Sequence, residues 1–185
     1  ATREIPLIAA AVQQIAPPSK AQIWAVLQPD DDEERLRYSL ASTFLGRMCL
    51  SGPIEDLPPE SWDLALEAMR FYRSAWPVIK KGNSRIFGPF QTVRRQPSGW
   101  QAVRRIRRDG ANCLVVVHTF DNAPDEPIRI PLPQDRPWRL SRSFSGGRPG
   151  EVDAHELVIT AMPDYSAAAY FLDASGPHFH HRNHS

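Results

Sequence analysis

The chain has 185 residues, enough for one or two domains with a substantial core. Its apolar and charged fractions, 42% and 23%, are those of a folded globular protein. A formal net charge of +1 gives no electrostatic basis for binding nucleic acid or a membrane surface, and no apolar run approaches the roughly 20 residues of a membrane span.

The first residue is alanine and no signal-peptide pattern follows, so a processed or excised piece of a longer cytoplasmic polypeptide is expected. Leu7, Ile8, Ala11, Val12 and Ile15 form a stripe at helical spacing, which predicts a short helix over residues 6–15 that ends at Pro17-Pro18. QIWAVL (residues 22–27) is the short, mostly apolar run of a buried parallel strand. After Pro29 comes the acidic cluster Asp30-Asp31-Asp32. Asp31 and Glu34 have capping-box spacing for a helix running to Arg47, with apolar steps at Leu36, Leu40 and Phe44. A second short strand, residues 47–51, stops at Gly52-Pro53. Trp62, Leu66, Met69, Tyr72, Trp76 and Ile79 then predict a long helix from Pro59 to Lys81 with one wide apolar face. Pro77 should loosen its last turn, and Lys80-Lys81-Gly82 should end it.

Helix, strand, helix, strand, helix is the order of parallel β/α units, and two strands cannot cover so much apolar surface. After Gly82 the texture changes. β-type runs at residues 100–108, 113–120, 128–132, 138–144, 155–161 and 166–172 are separated by turn residues, with Asp109-Gly110 as a hairpin turn. Such a series predicts an antiparallel β-sandwich. The division is therefore residues 1–82, β/α; residues 83–175, sandwich; and residues 176–185, a flexible His-rich tail, with the boundary falling within residues 82–95. The fold class is α+β.

RYSLASTFLGRMCLSGPIEDL (residues 37–57) and ESWDLALEAMRFYRSAWPVIKKG (residues 60–82) resemble the last barrel segment of melibiase-type α-galactosidases. GWQAVRRIRRDGANCLVVVHTF (residues 99–120) is similar to the first hairpin of the C-terminal sandwich of those glycoside hydrolases. The resemblance covers roughly residues 20–172. It implies the last β/α units of a (β/α)8 barrel followed by the sandwich, and a parent enzyme that hydrolyses α-galactosides with retention. That chemistry uses two carboxyls about 5 Å apart, one ionised to attack and one protonated to release the leaving oxygen. The family's Lys-x-Asp nucleophile motif and its general-acid aspartate have no matching position in this sequence. No catalytic residue is therefore assigned, and the chain alone is expected to be inactive. Neither the residues nor the resemblance implies a cofactor or a metal.

If the two strands are barrel strands, the loops after them lie on the catalytic face. The candidate carbohydrate-binding residues are then Trp24, Asp30, Asp31, Ser51 and Gly52. Each has a plainer reading: Trp24 as core, Asp30 and Asp31 as caps, Ser51-Gly52 as a tight turn. Glu55 and Asp56 read as caps of the next helix. Asp30 or Asp31 with Glu55 could form a carboxylate pair across adjacent loops, but no motif supports it.

Cys49 and Cys113 sit in apolar runs and read as reduced thiols. The arginines of VRRIRR (residues 103–108), with Arg94-Arg95, form the one basic concentration, but neighbours in a strand point to opposite faces. His118 and His155 read as structural strand residues; His178, His180, His181 and His184 belong to the tail. The partners implied are an α-galactoside-type carbohydrate for the whole protein, and the rest of the barrel or a second copy for residues 1–82. The alternative is a β-sandwich module that binds carbohydrate or protein, with the helices as a support. A self-contained fold that dimerises through its helices is a third option. A row of exposed aromatics on the sandwich would favour the binding module; an unsatisfied apolar face on the β/α part would favour the fragment.

Overall fold

A computed structural model describes residues 2–13, 15–89, 91–93 and 96–175. Three helices precede the antiparallel sheets: α1 (Ile5–Val12), α2 (Glu33–Ser42) and α3 (Pro59–Lys81). Strands β1 (Gln22–Val26) and β2 (Arg47–Ser51) alternate with them and pair in parallel, Trp24 opposite Cys49 and Val26 opposite Ser51. Helix α2 is their crossover. It ends earlier than residue 47, passing through a 3-10 turn at Thr43–Leu45 to Gly46. A Cβ on Gly46 would lie 2.5 Å from the Ala21 carbonyl oxygen, so glycine is what lets β2 start beside β1.

The cap of α2 also differs from the expected one. Asp32, not Asp31, is the N-cap, its Oδ1 accepting from the Arg35 N–H at 2.8 Å. Glu55 and Asp56 cap nothing: they lie in the 3-10 turn Ile54–Asp56, and α3 starts at Pro58-Pro59, where fixed φ values replace a side-chain cap. Helix α3 runs continuously through Pro77 and stops at Gly82, whose N–H bonds the Val78 carbonyl.

The remaining strands are β3 (Gly82–Phe87), β4 (Gln91–Val93), β5 (Gln96–Ser98), β6 (Trp100–Arg107), β7 (Asn112–Thr119), β8 (Ile128–Pro131), β9 (Trp138–Phe144), β10 (Gly150–Asp153), β11 (Glu156–Ile159) and β12 (Ala167–Ala174). Five form an antiparallel sheet in the order β3-β6-β7-β12-β9, three form a second sheet, β10-β11-β8, and β4-β5 is a hairpin. The turn between β6 and β7 carries Gly110 at φ +71°, as expected of a hairpin. Strands β3 and β10 were not apparent as apolar runs, since GNSRIF and GEVD are mostly polar. His155 lies in the β10–β11 turn, exposed, and not in a strand.

Two apolar layers result. One lies between the two sheets and holds Cys113, Val115, Val117, Ile130, Leu157 and Tyr170. The other lies between the large sheet and the helices, where Phe44, Phe71 and Phe144 meet with ring centroids 5.0 to 6.4 Å apart. Alternation along β6 sends Val103 and Arg105 toward the helices and Ala102 toward the small sheet. Arg105 is buried, and its guanidinium donates to the carbonyls of Leu45 (3.1 Å) and Phe44 (3.5 Å), to Gln13 Oε1 (2.5 Å) and to Ser84 Oγ (2.8 Å). It thereby satisfies carbonyls left open where the helical segment ends.

Helix α2 buries its expected Leu36 and Leu40, with Phe44 just beyond it, but α1 and α3 bury only part of the faces that their periodicity picks out. Helix α1 buries Pro6, Ala9 and Ala10, while Ile8 of the expected stripe is exposed. Helix α3 buries Leu64, Ala65, Ala68, Phe71, Ala75, Val78 and Ile79. Leu66 and Met69 of its expected face are exposed, and Trp62, Tyr72 and Trp76 are half-buried. Strand β1 buries Ile23 and Ala25 but exposes Trp24 and Val26, so it is covered on one face only.

Candidate functional site

Because β1 and β2 are parallel, the loops that follow them emerge at the same end. There the Leu27 N–H donates to the Ser51 carbonyl at 2.8 Å. Gly52 has φ +106°, and a Cβ there would stand 2.1 Å from the Leu27 carbonyl oxygen. Only glycine allows that approach. In the other loop, Asp31 Oδ2 accepts the Gln28 N–H at 3.0 Å, and its second oxygen pairs with Arg35. Its side chain is 6% exposed, so the carboxylate is already engaged in shaping the loop. Asp30 is exposed at the tip.

Trp24 is not core: its indole stands on the uncovered face of the parallel pair. By register, Cys49, Val26 and Ser51 share that face. Trp24 and Ser51 are therefore brought to one surface, Gly52 and the Asp30–Asp31 loop to its end, and the five do not line a common cavity. A hollow of about 430 Å³ between the starts of α2 and α3 takes in Asp31, Asp32, Glu33, Glu60, Asp63 and Arg37, without Trp24 or Ser51. A second, of about 540 Å³, lies between β2 and α3, where Met48 and Leu50 face Met69, Tyr72 and Trp76. It is the unfilled side of α3.

Among the described residues, the exposed large apolar side chains are Ile8, Ile15, Trp24, Val26, Leu66 and Met69, from 38% exposed at Leu66 to 87% at Ile15. All precede residue 82, and none is on the sandwich. The partial burial of an amphipathic stripe was a sign that the sequence alone could not give.

Two buried polar residues are structural. His118 on β7 sits under α2, with Nε2 3.1 Å from Ser42 Oγ and 3.3 Å from the Tyr38 carbonyl oxygen. Burial pushes its pKa down to about 3. Arg37 is covered by the Phe144 ring (4.7 Å) and paired with Glu33 (2.6 Å). Cys49 and Cys113 are both free thiols, and burial pushes the Cys113 thiol up to about 12, so it is unreactive. Among the described residues no group of three His, Cys, Asp or Glu side chains is placed to hold a metal ion. No described helix is long and apolar enough to cross a membrane. Arg94-Arg95 and the four histidines of the tail lie outside the described residues.

No protein-family model matches the chain, and no curated protein sequence matches it. Solved structures do. An α-galactosidase from Lactobacillus brevis superposes with TM-score 0.72 at 14% identity over 98% of this chain and 26% of its own. The galactosidase domain of the α-galactosidase-sucrose kinase AgaSK gives TM-score 0.67 at 12% identity, covering 95% and 25%. The GH36 α-galactosidase AgaA from Geobacillus stearothermophilus gives 0.68 at 13%, covering 95% and 25%. The chain thus spans about a quarter of the length of the structures it matches, and that quarter is C-terminal. Nearly the whole chain, helical part and sheets together, has the fold of the C-terminal portion of these α-galactosidases.

Proposed function

We propose that the chain is the C-terminal portion of an α-galactosidase-like glycoside hydrolase. In this reading β1–α2–β2–α3 supplies the last two β/α units of a (β/α)8 barrel, residues 1–82, and residues 83–175 form the accessory sandwich. The catalytic carboxylates belong to barrel strands upstream of it. The observation that carries the reading is the placement of exposed apolar surface. Trp24 and Val26 stand where a barrel interior would be, and Ile8, Leu66 and Met69 stand where neighbouring helices would pack. A binding module would instead display its aromatics on the sandwich.

Burying one such side chain contributes about 1.5–3 kcal/mol. Six of them together rival the stability of a typical domain, about 5–15 kcal/mol. Residues 1–82 therefore pair with the rest of a barrel or, failing that, with a second copy. In the assembled protein the substrate is an α-galactoside-type carbohydrate. Trp24, Asp30 and Ser51 line its pocket, and Asp31 and Gly52 hold the two loops in shape. The two free thiols support a cytoplasmic setting.

Sedimentation equilibrium of the 185-residue chain at micromolar concentration tests this. The expected result is a dimer or larger species that Trp24→Ser with Met69→Ser converts toward monomer. A monomeric wild-type chain whose N-terminal half resists proteolysis would overturn it.

A further inference from the structure

The large sheet is wider than the small one packed on it. Strand β8 of the small sheet reaches β6, where Arg104 Nη1 donates to the Pro131 carbonyl, but β3 beyond it has exposed residues on the same face at Asn83 and Arg85. On this flank Arg85 and Arg104 are direct cross-strand partners. Both guanidinium groups lie over the Phe87 ring, 5.2 and 5.1 Å from its centroid. Like charges directly opposite on neighbouring strands repel. Among the described residues no carboxylate pairs with either, and Arg104 Nε is shut from solvent without a hydrogen-bond partner. Burial first, and the Arg85 charge in addition, hold the Arg104 guanidinium below its ordinary value.

A hollow of about 340 Å³ adjoins this pair, and three more arginines converge on it. Arg107 and Arg108 come from the end of β6 and its turn, Arg136 from the β8–β9 loop. Its one carboxylate, Asp109, is held by Arg107 at 3.0 Å, and Arg136 holds Asp135 at 2.7 Å. Arg85, Arg104 and Arg108 remain without an acidic partner among the described residues. Arginine on an edge strand discourages sheet-to-sheet pairing, which accounts for Arg85. It does not account for Arg104 on an inner strand, nor for the convergence from three separate segments.

We propose that this hollow is an anion site for a tetrahedral oxyanion, the phosphate or sulfate group of an ester. Guanidinium forks bind such oxygens in paired hydrogen bonds. Arg85 and Arg108 offer forks from β3 and the β6–β7 turn, and Arg104, whose Nη1 is given to Pro131, offers Nη2 from β6; donors from three segments suit a tetrahedral group better than a planar carboxylate. The anion would sit between the opposed arginines and remove their repulsion.

Calorimetric titration of the 185-residue chain with inorganic phosphate and, separately, inorganic sulfate tests the site. At least one should bind saturably at one site per chain, and the tighter of the two identifies the ester class. Arg85→Gln and Arg108→Gln, both exposed positions, should each weaken that binding about tenfold or more. Arg70→Gln, on the exposed side of α3, should leave it unchanged. The proposal fails if neither ion saturates. It also fails if Arg85→Gln and Arg108→Gln bind like wild type, or if Arg70→Gln weakens binding equally.

Discussion

Acidification should destabilise this protein through His118 alone by an amount large enough to measure. Ser42 Oγ donates to the Tyr38 carbonyl at 2.9 Å, which leaves its lone pairs to accept from His118 Nε2–H at 3.1 Å. The other ring nitrogen, Nδ1, is buried with no partner. The Tyr38 ring packs edge-on against the imidazole with centroids 4.9 Å apart. A second proton would therefore create a buried charge and a donor with nothing to accept from it. Hence burial, opposed only in part by the Tyr38 carbonyl, lowers the pKa from 6.5 to about 3. The folded state has the depressed value, so its stability from this group is complete above pH 6.5 and is lost as pH falls from there toward 3. The slope in that window is ~1.4 kcal/mol per pH unit, which amounts to ~3 kcal/mol by pH 4.5 and approaches ~5 kcal/mol below pH 3. Urea denaturation followed by tryptophan fluorescence at pH 7.5, 5.5 and 4.5 gives the curve. Carboxylates titrate in the same range, so the readout is the difference in pH slope between wild type and His118→Gln. Equal slopes in the two proteins, or an NMR titration of the His118 ring near pH 6.5, would refute the reasoning.

Arg105→Ala should cost about 2–5 kcal/mol in a urea melt, because the buried Leu45 and Phe44 carbonyls lose their donor. Arg105→Lys should recover little of that, since one ammonium cannot span the four acceptors that the guanidinium reaches. Gly52→Ala should destabilise by about 3 kcal/mol or more, through backbone strain at positive φ and the collision with the Leu27 carbonyl. Equal melting of Gly52→Ala and wild type would show that the loop relaxes freely. Incubation of the chain with an aryl α-galactoside should give the uncatalysed rate; turnover abolished by Asp31→Asn would place the chemistry in this chain after all.

What the sequence determined by itself is the order and kind of the elements whose signals are local. Pro59 and Gly82 bound α3, Asp109-Gly110 turns β6 into β7, and the unbroken apolar run of β7 marks a strand covered on both faces. What it could not determine depends on partners far along the chain. Helix α3 has apolar side chains on more than one side. Periodicity favours the Trp62–Leu66–Met69 stripe, yet the sheet selects the face of Phe71, Ala75 and Val78, whose small residues allow close packing. Trp24 reads as core by type and is exposed because, among the described residues, elements pack on only the Ile23–Ala25 face of β1. Strands β3 and β10 are polar and form because β6 and β11 offer them hydrogen-bonding edges. VRRIRR shows four arginines but not their fates: alternation and the layer above each face send Arg105 beneath the helices and Arg104, half-buried, to the rim of the small sheet opposite Arg85. Burial is a property of what lies across from a residue, and only the tertiary structure supplies that.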